Sequence, residues 1–170
     1  MIKDCNKIVI IGGPGTGKTT LAKDLSSILN INFYSLDDIR FKKYWQPRKK
    51  SDINKKISYI FSQEKWIIEG NHFQNLELIL EQCELVVFLD FRLSLQLFGI
   101  LKRFFTNLKS PKSKKYKSKI RLIFLIKTLL YNIRKKPKII DLLMNKNKYK
   151  LVLLNNHHQV AKWTGIIRNS

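Results

Sequence analysis

Near the N-terminus, residue types and spacing meet the requirements of a phosphate-binding loop. Gly12, Gly17, Lys18 and Thr19 form the Walker A pattern: glycine, four residues, glycine, lysine and threonine. Glycines let successive N–H groups turn inward, and the N-terminus of a following helix adds its dipole. The lysine reaches the β- and γ-phosphates, and the threonine hydroxyl binds Mg²⁺. The predicted nucleotide-binding residues are Gly12, Gly13, Pro14, Gly15, Thr16, Gly17, Lys18, Thr19 and Thr20.

The residues around this loop have the pattern that the mechanism needs. Lys7 to Ile11 is a continuous apolar run, typical of a strand. After the loop, apolar residues recur at helical spacing from Leu21 to Leu29. A strand, a loop and a helix in this order favour an ATP and Mg²⁺ site over a chance match in a glycine-rich turn.

Further strands are predicted along the chain, and acidic residues follow three of them. The predicted strands are 7–11, 32–36, 66–69, 85–89 and 150–154, with helical patterns between them. This alternation predicts an α/β fold with a parallel five-stranded sheet, whose ligands lie beyond the carboxyl ends of the strands. Asp37, Glu69 and Asp90 stand at such ends.

The intervening helices are predicted less sharply. Residues 39–64 indicate a mostly helical segment broken near Pro47, and a short helix is expected around Leu76 to Leu80. The remaining predicted helices are 93–105, 120–134 with an end at Pro137, 139–144 and a short one at the C-terminus.

The loop variant Gly-Gly-Pro-Gly-Thr-Gly-Lys-Thr-Thr resembles that of adenylate kinases and related small P-loop kinases. With the strand-end acids and a basic segment, the chain most resembles the branch known as topology modulation proteins, over roughly Ile8 to Leu154. The resemblance implies a three-layer, nucleoside-kinase-like fold over residues 1–170, with a small basic helical lid at about 104–135. It implies an ATP-dependent phosphotransferase.

The acceptor site is expected at the ends of the second and third strands. Asp37 with Arg40 resembles the start of the nucleoside-monophosphate-binding helix in adenylate kinases, where the arginine holds the acceptor phosphate. In nucleoside and small-metabolite kinases, an aspartate at this strand end instead binds or deprotonates the acceptor hydroxyl. Asp37 as a simple helix N-cap is the structural alternative. Glu69, Gly70 and Asn71 resemble the acid-glycine step that lets an acceptor approach the backbone. Where adenylate kinases continue with Pro and Arg, this chain has His72 and Phe73.

The resemblance also implies a metal ligand and lid arginines. Asp90 stands in a Walker B-like context, where a carboxylate helps to hold Mg²⁺ together with Thr19. Two arginines one helical turn apart are expected after this strand; the second falls on Arg103 and the first on Gly99. Lys18, Asp37 and Arg103 are therefore the predicted catalytic residues, and the candidate lid cations are Arg103, Arg121 and Arg134.

Charge is concentrated in one part of the chain. Of the 33 Lys and Arg residues, 17 lie in residues 101–150, which hold one acidic residue and so carry a net charge of +16. A solvated lid rich in lysine by composition is the first interpretation, a nucleic-acid surface over 102–138 the second, and a membrane-surface helix at Ile120 to Arg134 the third. Core packing is expected to account for the apolar face of that helix.

These patterns favour a small-molecule kinase whose acceptor is a nucleoside, a nucleotide or a small hydroxylated metabolite. The alternatives are a nucleic-acid-binding P-loop ATPase without a small acceptor, and an interaction module that has lost catalysis. Cys5 and Cys83 have no metal-binding spacing and fit a reducing compartment, so a cytoplasmic location is expected. No transmembrane segment is expected. The sequence does not indicate an oligomeric state.

Overall fold

The computed structural model describes residues 4–42, 46–71, 73–108, 125–145 and 148–169, with the backbone alone for 73–75 and 103–108. The strands are β1 (Lys7–Gly12), β2 (Phe33–Ser35), β3 (Trp66–Glu69), β4 (Leu85–Leu89) and β5 (Lys150–Leu154). The helices are α1 (Lys18–Leu29), α2 (Leu36–Arg40), α3 (Lys50–Phe61), α4 (Phe73–Gln82), α5 (Leu93–Leu108), α6 (125–130), a π-helical turn (Tyr131–Lys135), α7 (Lys136–Met144) and α8 (His157–Asn169).

The five strands form one parallel sheet in the order β2-β3-β1-β4-β5. β1 is central, and it pairs with β3 on one side and β4 on the other. All strands point the same way, so the glycine loop and the segments that follow β2, β3 and β4 meet at one edge. The predicted parallel five-stranded α/β fold is confirmed.

Side chains of the central strands pack alternately on the two faces of the sheet, as a strand buried on both sides requires. Val9 and Ile11 join a core formed with α3, α4 and α7. Ile8 and Ile10 join a second core formed with α1 and α8. The molecule therefore has three layers, with helices on both faces of the sheet.

One helix prediction was confirmed and another was wrong in detail. The break predicted near Pro47 is present: α2 and α3 lie on either side of it, and Phe41 pairs with Pro47 in an antiparallel bridge. The helix predicted over 120–134 was expected to end at Pro137, but the chain stays helical to Met144. The π-helical turn just before Pro137 rearranges the backbone hydrogen bonds, and the proline falls in the first turn of α7, where its missing N–H is tolerated.

Within the described residues, no helix is long and apolar enough to cross a membrane. α5 continues to Leu108, so the first residues of the expected lid, 104–108, extend this helix. Residues 109–124 lie outside the described residues, and the lid boundaries at 104–135 stay a prediction.

Candidate nucleotide and acceptor site

The glycine loop has the conformation that the Walker A pattern predicts. Gly15 and Gly17 have φ angles of 77° and 86°, in the left-handed region that favours glycine, and Gly17 is the N-cap of α1. Inside the loop, the Thr16 hydroxyl and the Lys18 ammonium both donate to the carbonyl oxygen of Gly13, each at 2.9 Å. The loop thus opens onto a helix N-terminus, with Lys18 folded against its own backbone.

Asn71 ties the start of the loop to the end of β3. Its Oδ1 accepts a hydrogen bond from the Gly12 N–H at 3.1 Å, and its Nδ2 donates to the Gly12 carbonyl oxygen. One side-chain amide therefore satisfies both backbone polar groups of Gly12. In the structure Asn71 holds the loop, a contact that its predicted acceptor-binding role does not include.

Glu69 lies directly beside the helix that begins at the loop. The Thr19 hydroxyl donates to its Oε1 at 3.1 Å, and the Glu69 residue is 4% exposed. Gly70 follows with a φ of 140°, and a Cβ there would lie 2.8 Å from the Cβ of Leu36. The glycine therefore permits close approach of the chain after β2, so the structure brings these two strand ends together.

Asp90 has a different partner. Its Oδ1 forms an ion pair with the Lys136 ammonium at 2.6 Å, in a position where both side chains are largely buried. The structure thus gives the Thr19 hydroxyl a contact with Glu69, while the carboxylate predicted to share the metal with Thr19 is bound to a lysine of α7.

α5 packs directly against the glycine loop. A Cβ on Gly99 would lie 2.0 Å from the carbonyl oxygen of Gly15, and a Cβ on Gly13 would lie 2.2 Å from Oε1 of Gln96. No side chain fits between the helix and the loop at Gly99. The glycine at this position therefore provides close backbone contact, where the resemblance had led us to look for an arginine.

Gln96 also joins α5 to the π-helical turn. Its amide exchanges two hydrogen bonds with the Asn132 amide, at 3.1 Å each, and donates to the Phe91 carbonyl oxygen at 2.8 Å. Asn132 donates in turn to the Thr128 carbonyl oxygen at 2.8 Å. Because Gln96 is almost fully buried, these contacts fix the side chain that lies over Gly13.

Tyr131 completes the polar contacts behind the loop. Burial raises the pKa of its hydroxyl, and the nearby Asp90 carboxylate raises it further, against the opposing effect of the Asn71 side chain. The neutral hydroxyl thus lies among Asn71 and the ion pair of Asp90 with Lys136. The π-helical turn therefore meets the site through Tyr131, Asn132 and the adjoining Lys136.

The predicted acceptor residues lie after β2. Asp37 is exposed in the first turn of α2, and Arg40 is half-buried in the last. A second arginine returns to the end of α2, because the Arg48 N–H donates to the Arg40 carbonyl oxygen at 2.8 Å. The Nε of Arg48 is buried and has no hydrogen-bond partner among the described residues. The backbones of the two arginines therefore lie side by side, and Arg40 stands three residues after Asp37 in the chain.

A cleft of about 480 Å³ lies at the ends of β4 and β5. Its lining residues are Asp90, Arg92, Leu95, Lys136, Asn155, Asn156 and Gln159. His157, next to this cleft, packs edge-on against Phe91 with ring centroids 4.8 Å apart, and its ring lies 3.9 Å from the Cβ position of Gly17. The cleft is therefore adjacent to the glycine loop.

The candidate lid arginines are only partly described. The Arg103 backbone lies in α5 one turn after Gly99, on the helix face that meets the loop. Arg134 is exposed in the π-helical turn. Arg121 lies outside the described residues.

Several residues of the site were missed at the sequence level. Four of them lie in helices, where the sequence shows only a polar residue within an apolar pattern: Gln96, Tyr131, Asn132 and Lys136. They come close to the loop only through tertiary packing. Arg48 follows a proline in an unpatterned stretch. Only the π-helical turn had a signal in the local sequence. Pro137 must disturb the hydrogen bonds of any helix that continues through it, and the turn lies just before this proline.

The fold and the site define the class: this is an α/β P-loop kinase-like fold. A family profile described as "ATPase family associated with various cellular activities (AAA)" matches residues 8–90, a little under half of the chain and including the glycine loop. No curated protein sequence matches the chain.

Solved structures of small kinases share the whole fold. A shikimate kinase from Bacteroides thetaiotaomicron has a TM-score of 0.57 at 15% identity, with 97% of each chain covered. A gluconokinase from Sinorhizobium meliloti has a TM-score of 0.54 at 12% identity, covering 96% of this chain and 94% of its own. A shikimate kinase from Acinetobacter baumannii in complex with shikimate has a TM-score of 0.52 at 18% identity, covering 95% and 90%.

At these identities the likeness concerns the fold, which the adenylate-kinase-like resemblance implied. The narrower resemblance to topology modulation proteins and the nucleic-acid surface over 102–138 both stay predictions.

Proposed function

We propose that the protein is an ATP-dependent phosphotransferase that phosphorylates a hydroxyl of a small acceptor. The observation that carries the proposal is the buried Glu69 carboxylate in contact with the Thr19 hydroxyl, next to the glycine loop. Asp37 lies at the same sheet edge, since Ser35 pairs in register with Glu69. A phosphate loop, a metal-binding carboxylate and a candidate base at one edge are the parts that phosphoryl transfer needs.

The oxygens of Thr19 and Glu69 fit Mg²⁺. A hydroxyl and a carboxylate are hard ligands of the type that Mg²⁺ prefers, and their hydrogen bond of 3.1 Å shows that they lie side by side. Bound there, Mg²⁺ would supply charge neutralisation for the β- and γ-phosphates. We assign the metal carboxylate to Glu69 rather than Asp90, because Asp90 is already neutralised by Lys136.

The chain's own groups have separate tasks. The N–H groups of the loop bind the phosphate oxygens, and Lys18 leaves the Gly13 carbonyl to neutralise the transferring phosphoryl group. Asp37 accepts the proton of the acceptor hydroxyl as its oxygen bonds to the γ-phosphorus. The bond between that phosphorus and the β–γ bridging oxygen breaks, so ADP leaves and the acceptor carries the phosphoryl group.

The cleft beside the glycine loop is in a position to bind the nucleotide base. The 480 Å³ cleft beside the loop is lined by Asn155, Asn156 and Gln159. The side-chain oxygens of Asn156 and Gln159 accept backbone N–H groups at the start of α8, so their NH2 groups are the donors offered to a purine. His157 lies between this cleft and Gly17.

The acceptor side is positively charged. The backbones of Arg40 and Arg48 are joined by a hydrogen bond just after Asp37, and the buried Nε of Arg48 has no hydrogen-bond partner in the part of the chain that the structure describes. An acceptor that carries a carboxylate or phosphate would pair with these guanidinium groups. We therefore propose a hydroxylated metabolite with an anionic group.

Nucleotide binding is tested with a matched pair of lysine variants. Lys18→Ala should weaken binding of a fluorescent ATP analogue by at least about 100-fold, because it removes a charge-assisted contact to phosphate. Lys23→Ala, on the exposed face of the same helix, should leave affinity unchanged. Equal affinity of the two variants would contradict the assignment of the loop.

Phosphotransfer is tested by an acceptor screen that follows ADP production. The panel should include shikimate, sugar acids, nucleosides and nucleoside monophosphates. Asp37→Asn should lower kcat for the accepted compound by about 100-fold or more, whereas Asp38→Asn, its exposed neighbour, should not. ATP binding with no acceptor-dependent ADP production across the panel would reject a small hydroxylated acceptor.

A further inference from the structure

The helix formed by α6, the π-helical turn and α7 has an apolar surface that the core does not cover. Its exposed apolar side chains are Ile126, Leu129, Leu130, Ile133, Ile140 and Met144. The core instead receives Thr128, Tyr131, Ile139 and Leu143 from the same helix. The expectation that core packing accounts for the apolar face was therefore wrong for the described residues.

The exposed apolar residues share one side of this helix. Leu129, Ile133, Pro137, Ile140 and Met144 recur every three or four residues, so they form a continuous stripe. We call this stripe, with the basic residues beside it, the outer helix face. Pro137, Ile140 and Met144 also line a surface depression of about 600 Å³, together with Asn132, Lys136 and Asp141.

Basic side chains border the stripe. Lys127, Arg134, Lys135 and Lys138 are all exposed on the same helix. Arg134 and Lys138 follow Leu130 at intervals of four residues, which places them on the row beside the stripe. The one acidic residue of this helix, Asp141, accepts a hydrogen bond from the Asn145 side chain at 3.1 Å.

We propose that the outer helix face docks on a bilayer surface that contains acidic lipid headgroups. Aliphatic side chains of an interfacial helix enter the boundary between headgroups and acyl chains, while lysine and arginine beside them contact the lipid phosphates. The proposal concerns binding at the surface, in keeping with the lack of a spanning helix in the described part of the chain.

Two other occupants fit the surface less well. A nucleic acid would use the basic side chains but leaves exposed aliphatic ones without a partner. A second copy, docked by the same face, would bring together two segments that each carry a net charge of +16 over residues 101–150. A bilayer with acidic lipid provides a partner for both features, because its acyl chains contact the aliphatic stripe and its phosphates contact the basic side chains.

The helix that carries the outer helix face also contacts the candidate site. The inner face of the same helix contacts the loop region, since Asn132 bonds to Gln96 and Lys136 pairs with Asp90. The stripe lies next to these two residues, because Asn132 and Lys136 line the depression together with Pro137, Ile140 and Met144.

The experiment is flotation of the full chain with vesicles of phosphatidylcholine alone or of phosphatidylcholine and phosphatidylglycerol at 70:30. Binding is expected to the acidic vesicles at 0.1 M NaCl, with little to the neutral ones, and weaker at 0.5 M because charge is screened. Absence of binding to acidic vesicles at 0.1 M would overturn the proposal.

The apolar contribution is tested with two serine variants. Ile133→Ser should weaken binding to acidic vesicles by about tenfold, because it removes one aliphatic side chain that the docked protein would bury in the bilayer. Ile166→Ser, on α8, is the control; the residues are 70% and 58% exposed, so neither change opens the core. Equal losses in the two variants, or no loss with Ile133→Ser, would overturn the proposal.

The charged contribution is tested with paired glutamine variants. Each lysine near an acidic surface contributes about a fivefold increase in affinity, so Lys135→Gln with Lys138→Gln should weaken binding by about 25-fold. Lys55→Gln with Lys56→Gln, exposed on α3, should change it little. Equal losses for the two pairs would overturn the proposal.

Two competing outcomes are measured on the same proteins. A dimer that dissociates with Ile133→Ser, in a chain that does not bind acidic vesicles, would assign the face to a second copy. An oligonucleotide bound more tightly than acidic vesicles, with affinity unaffected by Ile133→Ser, would assign it to nucleic acid. Either outcome overturns the lipid proposal.

Discussion

Replacement of Gly99 by alanine tests the close packing of α5 on the glycine loop. The added Cβ would lie 2.0 Å from the carbonyl oxygen of Gly15, whereas ordinary van der Waals contact begins near 3.4 Å. The helix and the loop must therefore move apart by up to the difference between these two distances. The obstacle is backbone, which cannot rotate away as a flexible side chain can. The change therefore acts on the nucleotide loop itself.

The expected magnitude follows from two opposing effects. Overpacking of this kind costs about 1–3 kcal/mol, and alanine in a helix interior regains up to about 1 kcal/mol over glycine. We expect Gly99→Ala to lower the free energy of unfolding by about 1–2 kcal/mol. Because the loop is displaced, ATP affinity should also fall by about tenfold.

The assay is urea denaturation together with titration of a fluorescent ATP analogue. Gly165→Ala is the matched control, since it lies in α8 and its Cβ would meet nothing within 4 Å. It should raise the free energy of unfolding by about 0.5–1 kcal/mol without changing affinity. If both alanine variants are stabilised and bind ATP normally, α5 does not pack on the loop as the structure places it.

Three further predictions concern other contacts. Asn71→Ala should lower the free energy of unfolding by about 1–3 kcal/mol, measured in urea, because both backbone polar groups of Gly12 lose their partner; an unchanged free energy of unfolding would contradict this contact. If Glu69 holds the metal, Glu69→Gln should raise the Mg²⁺ concentration for half-maximal activity by about tenfold and Asp90→Asn should not; the reverse order would return the metal to Asp90. Burial raises the pKa of the Cys83 thiol from 9.0 to about 12. The unfolded chain therefore loses this proton first, and stability should fall from pH 9 towards 12, by at most about 1.4 kcal/mol per pH unit; Cys83→Ala should show a shallower fall in urea melts across pH 8–10, and an unchanged slope would contradict the assignment.

Local sequence predicts the elements of this fold because its signals are short-range. The apolar runs at 7–11 and 85–89 need cover on both faces, which only a parallel sheet between helices provides. Gly15 and Gly17 stand where the loop needs positive φ angles. Pro137 misled the prediction because its effect depends on the preceding backbone, which adopts a π-helical turn.

The residues that act together were fixed by tertiary packing. Strand-end carboxylates are recognisable from the sequence, but only the neighbouring helices decide that Glu69 meets Thr19 and that Asp90 meets Lys136. From the sequence, Gly99 stands where an arginine is expected, and only the packing of α5 against Gly15 explains the glycine. The apolar face of residues 126–144 reads as core until exposure is measured. Spacing along the chain determined the phosphate loop, because a loop of eight residues contains its own geometry; partners 50 residues apart are chosen by how the layers pack.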